Sequence, residues 1–207
     1  MSIGILAYGS LIEDSGDEIK PLIEDRIKDV KTPFKIEFAR TSTTRDGAPT
    51  LVQYEKGSFV DGQILVLKDD ISLSEAKDLL YRRETRNEGT CKKYKEVKNL
   101  TKEEKENKVI VEIIEDFSGL DTVIYTSISR NIKIKDLTAD NLSERAIKSA
   151  KGKAGKNAKD GISYLISVKR QSITTPLMEA YEKEILNKMD CDTLENALKK
   201  ILNESVQ

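Results

Sequence analysis

Two short stretches hold side chains whose types and spacing could act on a small molecule. The first is Tyr8-Gly9-Ser10-Leu11, directly after the apolar run Ile3-Gly4-Ile5-Leu6-Ala7. A buried strand that stops at a Gly-Ser turn can aim successive backbone N–H groups at one point. Such a nest binds anions, carboxylates among them. Gly9 allows backbone angles that a Cβ resists, and the Ser10 hydroxyl can both donate and accept. A strand followed by an ordinary turn accounts for the same four residues. The second stretch is Tyr81-Arg82-Arg83-Glu84. Over residues 71–84, Leu73, Ala76, Leu79 and Leu80 fall on one helical face, with Ser72 and Ser74 as candidate caps. Glu84 then lies at the C-terminal end of a helix. The negative end of the macrodipole there favours the protonated carboxyl unless neighbouring arginines compensate. A general acid or base fits that place. The plainer reading is a solvated glutamate paired with Arg82, Arg83 or Arg86.

The absence of histidine from all 207 residues narrows the chemistry. It removes the Ser-His-Asp triad, the Cys-His pair and the usual zinc sites. An acid–base catalyst must therefore be a carboxylate, Lys, Tyr or Cys. Lys and Arg total 35 against 36 Asp and Glu, so no global field draws the chain to nucleic acid or an anionic membrane. The first residues lack a basic leader, and no apolar run approaches the roughly 20 residues that cross a bilayer. Cys91 and Cys191 lie far apart without metal or redox spacing, which predicts a reducing cytoplasm. Neither nucleic acid nor membrane is expected as a partner.

The elements that must position the two stretches follow from periodicity. Residues 16–31 place Ile19, Leu22, Ile23, Ile27 and Val30 near helical spacing, and the reading there is a short amphipathic helix. Phe34-Lys35-Ile36-Glu37-Phe38 alternates as a strand with one buried face, Glu37 on the polar side. Strands are also predicted at residues 50–54, after the turn Arg45-Asp46-Gly47-Ala48-Pro49, and at 59–67, with Gly57 and Gly62 as turn or bulge marks, so that residues 34–68 form sequential antiparallel strands. Further strands are predicted at 94–97, 109–114 and 122–126. The charged stretch 100–108 reads as a solvated hairpin tip or short exposed helix. Four helical patterns follow at 141–151, 162–169, 177–189 and 193–202, with Asp192 or Thr193 capping the last. The fold class expected is mixed α/β (α+β): a curled or barrel-like, mostly antiparallel sheet with flanking helices and a helical C-terminal part. The expected division is a core at 1–130 and a helical extension at 131–207 packed on the same domain.

Taken together, the two stretches resemble the γ-glutamylcyclotransferase family. Its members begin with a strand and a Tyr-Gly-Ser turn, here Leu6-Ala7-Tyr8-Gly9-Ser10-Leu11, and its glutathione-specific branch carries an Arg-Glu pair after a helix, here Arg83-Glu84. Arg45-Asp46-Gly47-Ala48-Pro49, Val60-Asp61-Gly62-Gln63-Ile64 and Thr122-Val123-Ile124-Tyr125 are similar to later family segments in the same order. Thr175-Pro176-Leu177 before Tyr181 is similar to its closing helix. Tyr94 stands further from Glu84 than the family's tyrosine, which implies an insertion, and the helical C-terminal part is longer than a minimal member needs.

The resemblance implies an amide-cleaving, cyclising acyltransferase or lyase. The turn Tyr8-Gly9-Ser10-Leu11 would hold a γ-glutamyl substrate, and Glu84 would move the proton as the substrate's own amine attacks its γ-carbonyl. Tyr125 would touch substrate or Glu84, or be a core tyrosine. No metal or cofactor is implied. A relative with another leaving group, a binding module that lost turnover, and an unrelated α+β protein are the rival readings.

Other residues draw less chemistry. Arg40 and Arg45 are possible carboxylate ligands or surface arginines. Gly152-Lys153-Ala154-Gly155-Lys156-Asn157 lacks the spacing and the Ser/Thr of a phosphate loop and reads as a mobile surface loop. Cys91 has no base beside it in sequence and reads as structural.

Overall fold

The computed structural model describes residues 1–96, 101 and 108–204. The charged stretch 100–108 and the strand end at residue 97 lie largely outside these residues. The chain divides into two compact units, Met1–Pro33 with Asp61–Ser129, and Phe34–Val60 with Arg130–Gln207. Residues 34–60 group with the C-terminal helices.

The first unit carries a five-stranded sheet. Its strands are β1 (Ile3–Ala7), β2 (Ile23–Lys31), β5 (Asp61–Leu67), β6 (Val109–Phe117) and β7 (Leu120–Ile128), in the order β2-β5-β1-β7-β6. β1 runs parallel to β7 and antiparallel to β5, and the remaining pairs are antiparallel. The sheet is open, with β2 and β6 as edges among the described residues, so the barrel-like closure expected from sequence is not found. Every residue of β1 is buried, as its two-sided neighbours require. Ile5 pairs with Leu65 on one side and Ile124 on the other. These three join Leu79 and Leu80 of α2 (Leu73–Thr85) in one apolar cluster. Ser72 caps α2, accepting from the Glu75 N–H at 3.2 Å.

The helix expected at residues 16–31 is instead a short 3-10 turn, Lys20–Leu22, followed by β2. Pro21 sits in the first turn of that short helix. The ladder between β2 and β5 shifts register between Ile23 and Asp25 and again between Ile27 and Val30. Each extra residue offsets the period of two. The second shift puts Ile27 and Val30, three residues apart, on one face opposite Ile64 and Gly62, while Ile23 stands opposite Leu67 on the other face. The strand expected at residues 94–97 is also absent over 94–96. Tyr94 there receives the Val111 N–H on its hydroxyl at 3.1 Å and packs on Tyr81, linking β6 to α2.

The second unit pairs β3 (Ile36–Ser42) with β4 (Ala48–Gln53) as a two-stranded antiparallel sheet. The strands at 34–68 are thus not one meander, because β5 pairs with β1 and β2. Among the described residues this unit also carries the α-helices α3 (Ala139–Lys151), α4 (Lys153–Lys156), α5 (Gly161–Arg170), α6 (Met178–Met189) and α7 (Leu194–Glu204). The last is capped by Thr193, whose hydroxyl accepts from the Asn196 N–H. Phe38 meets Tyr164 and Tyr181 edge-on at 6.1 and 5.3 Å, a favoured aromatic geometry at the centre of this core. The Tyr181 hydroxyl is buried without a hydrogen-bond partner, and burial, with Asp160 and Tyr164 nearby, pushes its phenol well above the usual range.

Glu37 does not face solvent as alternation predicted. All of Ile36, Glu37, Phe38 and Ala39 are buried. The Glu37 carboxylate accepts from the Phe38 N–H, the Thr175 hydroxyl and the Leu177 N–H, the last at the start of α6. The lysine-rich segment at 152–157 is no mobile loop either. It forms α4, and the Ala154 N–H donates to Asp46. A Cβ on Gly155 would stand 1.9 Å from the Ala150 carbonyl oxygen, inside any permitted contact. Gly155→Ala is therefore expected to cost about 1–3 kcal/mol, read as a lowered denaturant midpoint. An unchanged midpoint would show that α4 shifts freely.

Candidate functional site

The turn after β1 is built as its sequence suggests. Gly9 has φ 57° and ψ −130°, a combination essentially closed to residues with a Cβ. It opens α1 (Ser10–Glu13), a single turn in which the Asp14 N–H donates to the Ser10 carbonyl at 2.9 Å. Leu11 is buried in the apolar cluster beneath α2. Tyr8 and Ser10 are half-buried. The Ser10 hydroxyl makes no hydrogen bond among the described residues.

Glu84 lies one residue before the end of α2. The helix stops at Arg86, which adopts the left-handed conformation at φ 55°. The Asn87 N–H returns to the Arg82 carbonyl at 2.8 Å, closing the terminus. The Glu84 side chain is only 13% exposed. Its carboxylate is paired with Arg83. Of the three candidate arginines, Arg83 is therefore the one that pairs with Glu84.

The same guanidinium reaches back to the N-terminal turn. Arg83 Nε donates to the Asp14 carbonyl at 3.1 Å, and Nη2 donates to that same oxygen. Glu84 and Asp14, at the end of α1, are thus joined through the Arg83 side chain, which spans 69 residues of sequence. A second link lies beside it. Glu18 accepts from Arg82 Nε at 2.8 Å and from the Gly89 N–H at 3.0 Å. Partial burial pushes the Glu18 carboxyl up, but these bonds and the Arg82 charge outweigh it and hold the group below its ordinary value. Glu88 accepts from the Glu18 N–H. Neither Glu18 nor Glu88 stood out in the sequence. Both are single charges in polar runs, and only the fold brings them to the end of α2.

Tyr125 is placed differently. Its neighbour Ile124 joins the cluster under α2, so alternation along β7 sends Tyr125 to the opposite face of the sheet. It pairs across the ladder with Glu112 and is half-buried. Arg40 and Arg45 belong to the second unit. Burial pulls the Arg40 guanidinium below its ordinary value. Arg45 stacks its guanidinium over the Tyr164 ring at 4.6 Å and donates to the Lys159 carbonyl at 3.1 Å.

Among the described residues, no group of three or more His, Cys, Asp or Glu side chains converges to hold a metal ion. Cys91 and Cys191 are both free thiols, Cys91 exposed. Among the same residues, no helix is long and apolar enough to cross a membrane. Neither a protein-family model nor a curated protein matches the chain.

Proposed function

We infer that this protein is a γ-glutamylcyclotransferase-like enzyme that releases 5-oxoproline and a free amine from a γ-glutamyl compound. The observation that carries the reading is the tie through Arg83 between Glu84 and Asp14, which closes the single helical turn opened by Tyr8-Gly9-Ser10-Leu11. In this reading the turn receives the substrate's α-carboxylate and γ-carbonyl, and the unpartnered Ser10 hydroxyl is available to one of them. Glu84 accepts a proton from the α-ammonium. The freed amine attacks the γ-carbonyl of the same molecule, the γ-amide C–N bond breaks, Glu84 returns its proton to the departing amine, and the second proton shed by the ring nitrogen leaves with that amine as its ammonium form. The nucleophile and electrophile belong to one substrate, so proximity is largely built in. Turn N–H groups oriented at the carbonyl would stabilise the developing oxyanion. The setting proposed is a reducing cytoplasm, in keeping with two free thiols.

A second reading has its own observation. The Glu84 carboxylate already has Arg83 as its partner, which suits a binding module whose glutamate is structural. Incubation with glutathione, γ-glutamyl dipeptides and γ-glutamyl amines, followed by quantitation of 5-oxoproline, separates the two. Release from any of them supports the enzyme and identifies its leaving group. A folded protein that binds these compounds and releases nothing supports the module.

A further inference from the structure

We propose that Arg83 is the positioning residue of this site, fixing the Glu84 carboxylate relative to the N-terminal turn; the role rests on the reading of Glu84 as the acid–base group. A carboxylate at the end of a helix has free χ angles and a choice of rotamers, so its direction must come from a partner. Arg83 supplies one with a built geometry. Its Nε and Nη2 converge on the Asp14 carbonyl, while Nη1 faces Glu84 Oε1. The planar guanidinium cannot bend between those directions. Asp14 in turn is held by its own N–H on the Ser10 carbonyl, so the registration runs from Ser10 through Asp14 and Arg83 to Glu84.

The path of the Arg83 stem is also reserved. Gly16 sits at φ 88°, and a Cβ there would come within 2.4 Å of Glu88 Oε1 and 2.8 Å of Arg83 Cγ. The side chain is only 12% exposed. A solvated, interchangeable surface arginine needs none of these features. Lysine cannot replace it, because one ammonium cannot serve two acceptors in the guanidinium's planar array.

The test uses the full chain with Arg83→Met and Arg83→Lys, read in two arms. The first is a crystal structure of each variant, where the Glu84 carboxylate is expected to leave its wild-type direction while β1 and α2 stay in place. A carboxylate that keeps its direction in Arg83→Met overturns the proposal. The second is steady-state 5-oxoproline release. Both variants are expected to lose kcat by about 10²-fold, the scale of an ångström-sized misplacement, with KM little changed. Added guanidinium ion should restore part of the rate to Arg83→Met. A normal kcat in either variant, or a loss confined to KM, overturns the role. If Arg83→Met does not fold, Arg83→Lys carries both arms of the test; an unchanged kcat or an unmoved Glu84 carboxylate overturns the role. If the wild type releases no 5-oxoproline, the enzymatic reading fails, and the crystallographic arm alone decides whether Arg83 sets the direction of Glu84.

Discussion

Glu84→Gln is expected to lower kcat for 5-oxoproline release by about 10²–10⁴-fold, the usual contribution of a positioned acid–base group. The amide has the carboxylate's shape and keeps an oxygen to accept from Arg83. It cannot take a proton at neutral pH. The melting temperature should therefore stay within about 4 °C of wild type, which corresponds to about 1–2 kcal/mol in a chain of this size. Loss of kcat and of kcat/KM by equal factors would place the interaction in the transition state. A variant that turns over normally would remove Glu84 from the chemistry and leave the Arg83 pair as a structural contact. Binding of a γ-glutamyl compound by both proteins, measured by calorimetry, would then favour the binding module.

How much of this site could be read from the sequence depended on distance along the chain. The turn at Gly9 was legible because its demand is local, a backbone angle that glycine adopts freely. The position of Glu84 at a helix terminus was legible for the same reason, since the capping serine and the apolar spacing both lie within α2. The identity of its partner was not. Arg82, Arg83 and Arg86 are equivalent in sequence, and only the return of the chain past Asp14 distinguishes them. Arg82 goes to Glu18, Arg83 to Asp14 and Glu84, and Arg86 closes the helix with its backbone. Tyr125 was on a strand as expected, but its face of the sheet is fixed by pairing with β1 and β6.

The fold divides along similar lines. Helical patterns in the C-terminal half were read correctly because each carries an uninterrupted apolar stripe and most have a side-chain cap at the start. β2 lacks a legible period of two because its bulges break the alternation of faces, and those bulges exist only in the ladder with β5. The mixed sheet was beyond local reading for the same reason: β1 lies between β5 and β7, so its neighbours are remote in sequence. The reading of α4 as a mobile loop rested on its lysines and glycines, yet what orders it is the carboxylate of Asp46, more than a hundred residues earlier.

Glu37 is the sharpest departure from alternation, and it yields the largest stability effect expected. Glu37→Ala should destabilise by about 3–5 kcal/mol, the cost of removing one partner from a buried charged network, with a melting temperature lower by roughly 10 °C. Three donors lose their acceptor: the Phe38 N–H, the Thr175 hydroxyl and the Leu177 N–H. Thr175 is itself buried at 3% exposure, so water does not replace the lost bond without further opening. The Leu177 N–H belongs to the first turn of α6, where an acceptor is needed and the dipole favours a negative one. Filling the volume does not repair this. Glu37→Met should recover part of the packing and still leave Thr175 and Leu177 unpaired. Glu37→Gln should fall between, because its oxygen still serves Phe38 and Thr175 while its NH₂ meets the Leu177 N–H as a second donor. The expected order of stability is wild type, Gln, Met, Ala. An equal melting temperature for wild type and Glu37→Met would mean that the buried carboxylate adds nothing over an apolar side chain, leaving aromatic packing around Phe38 to hold β3 to the helices of its unit.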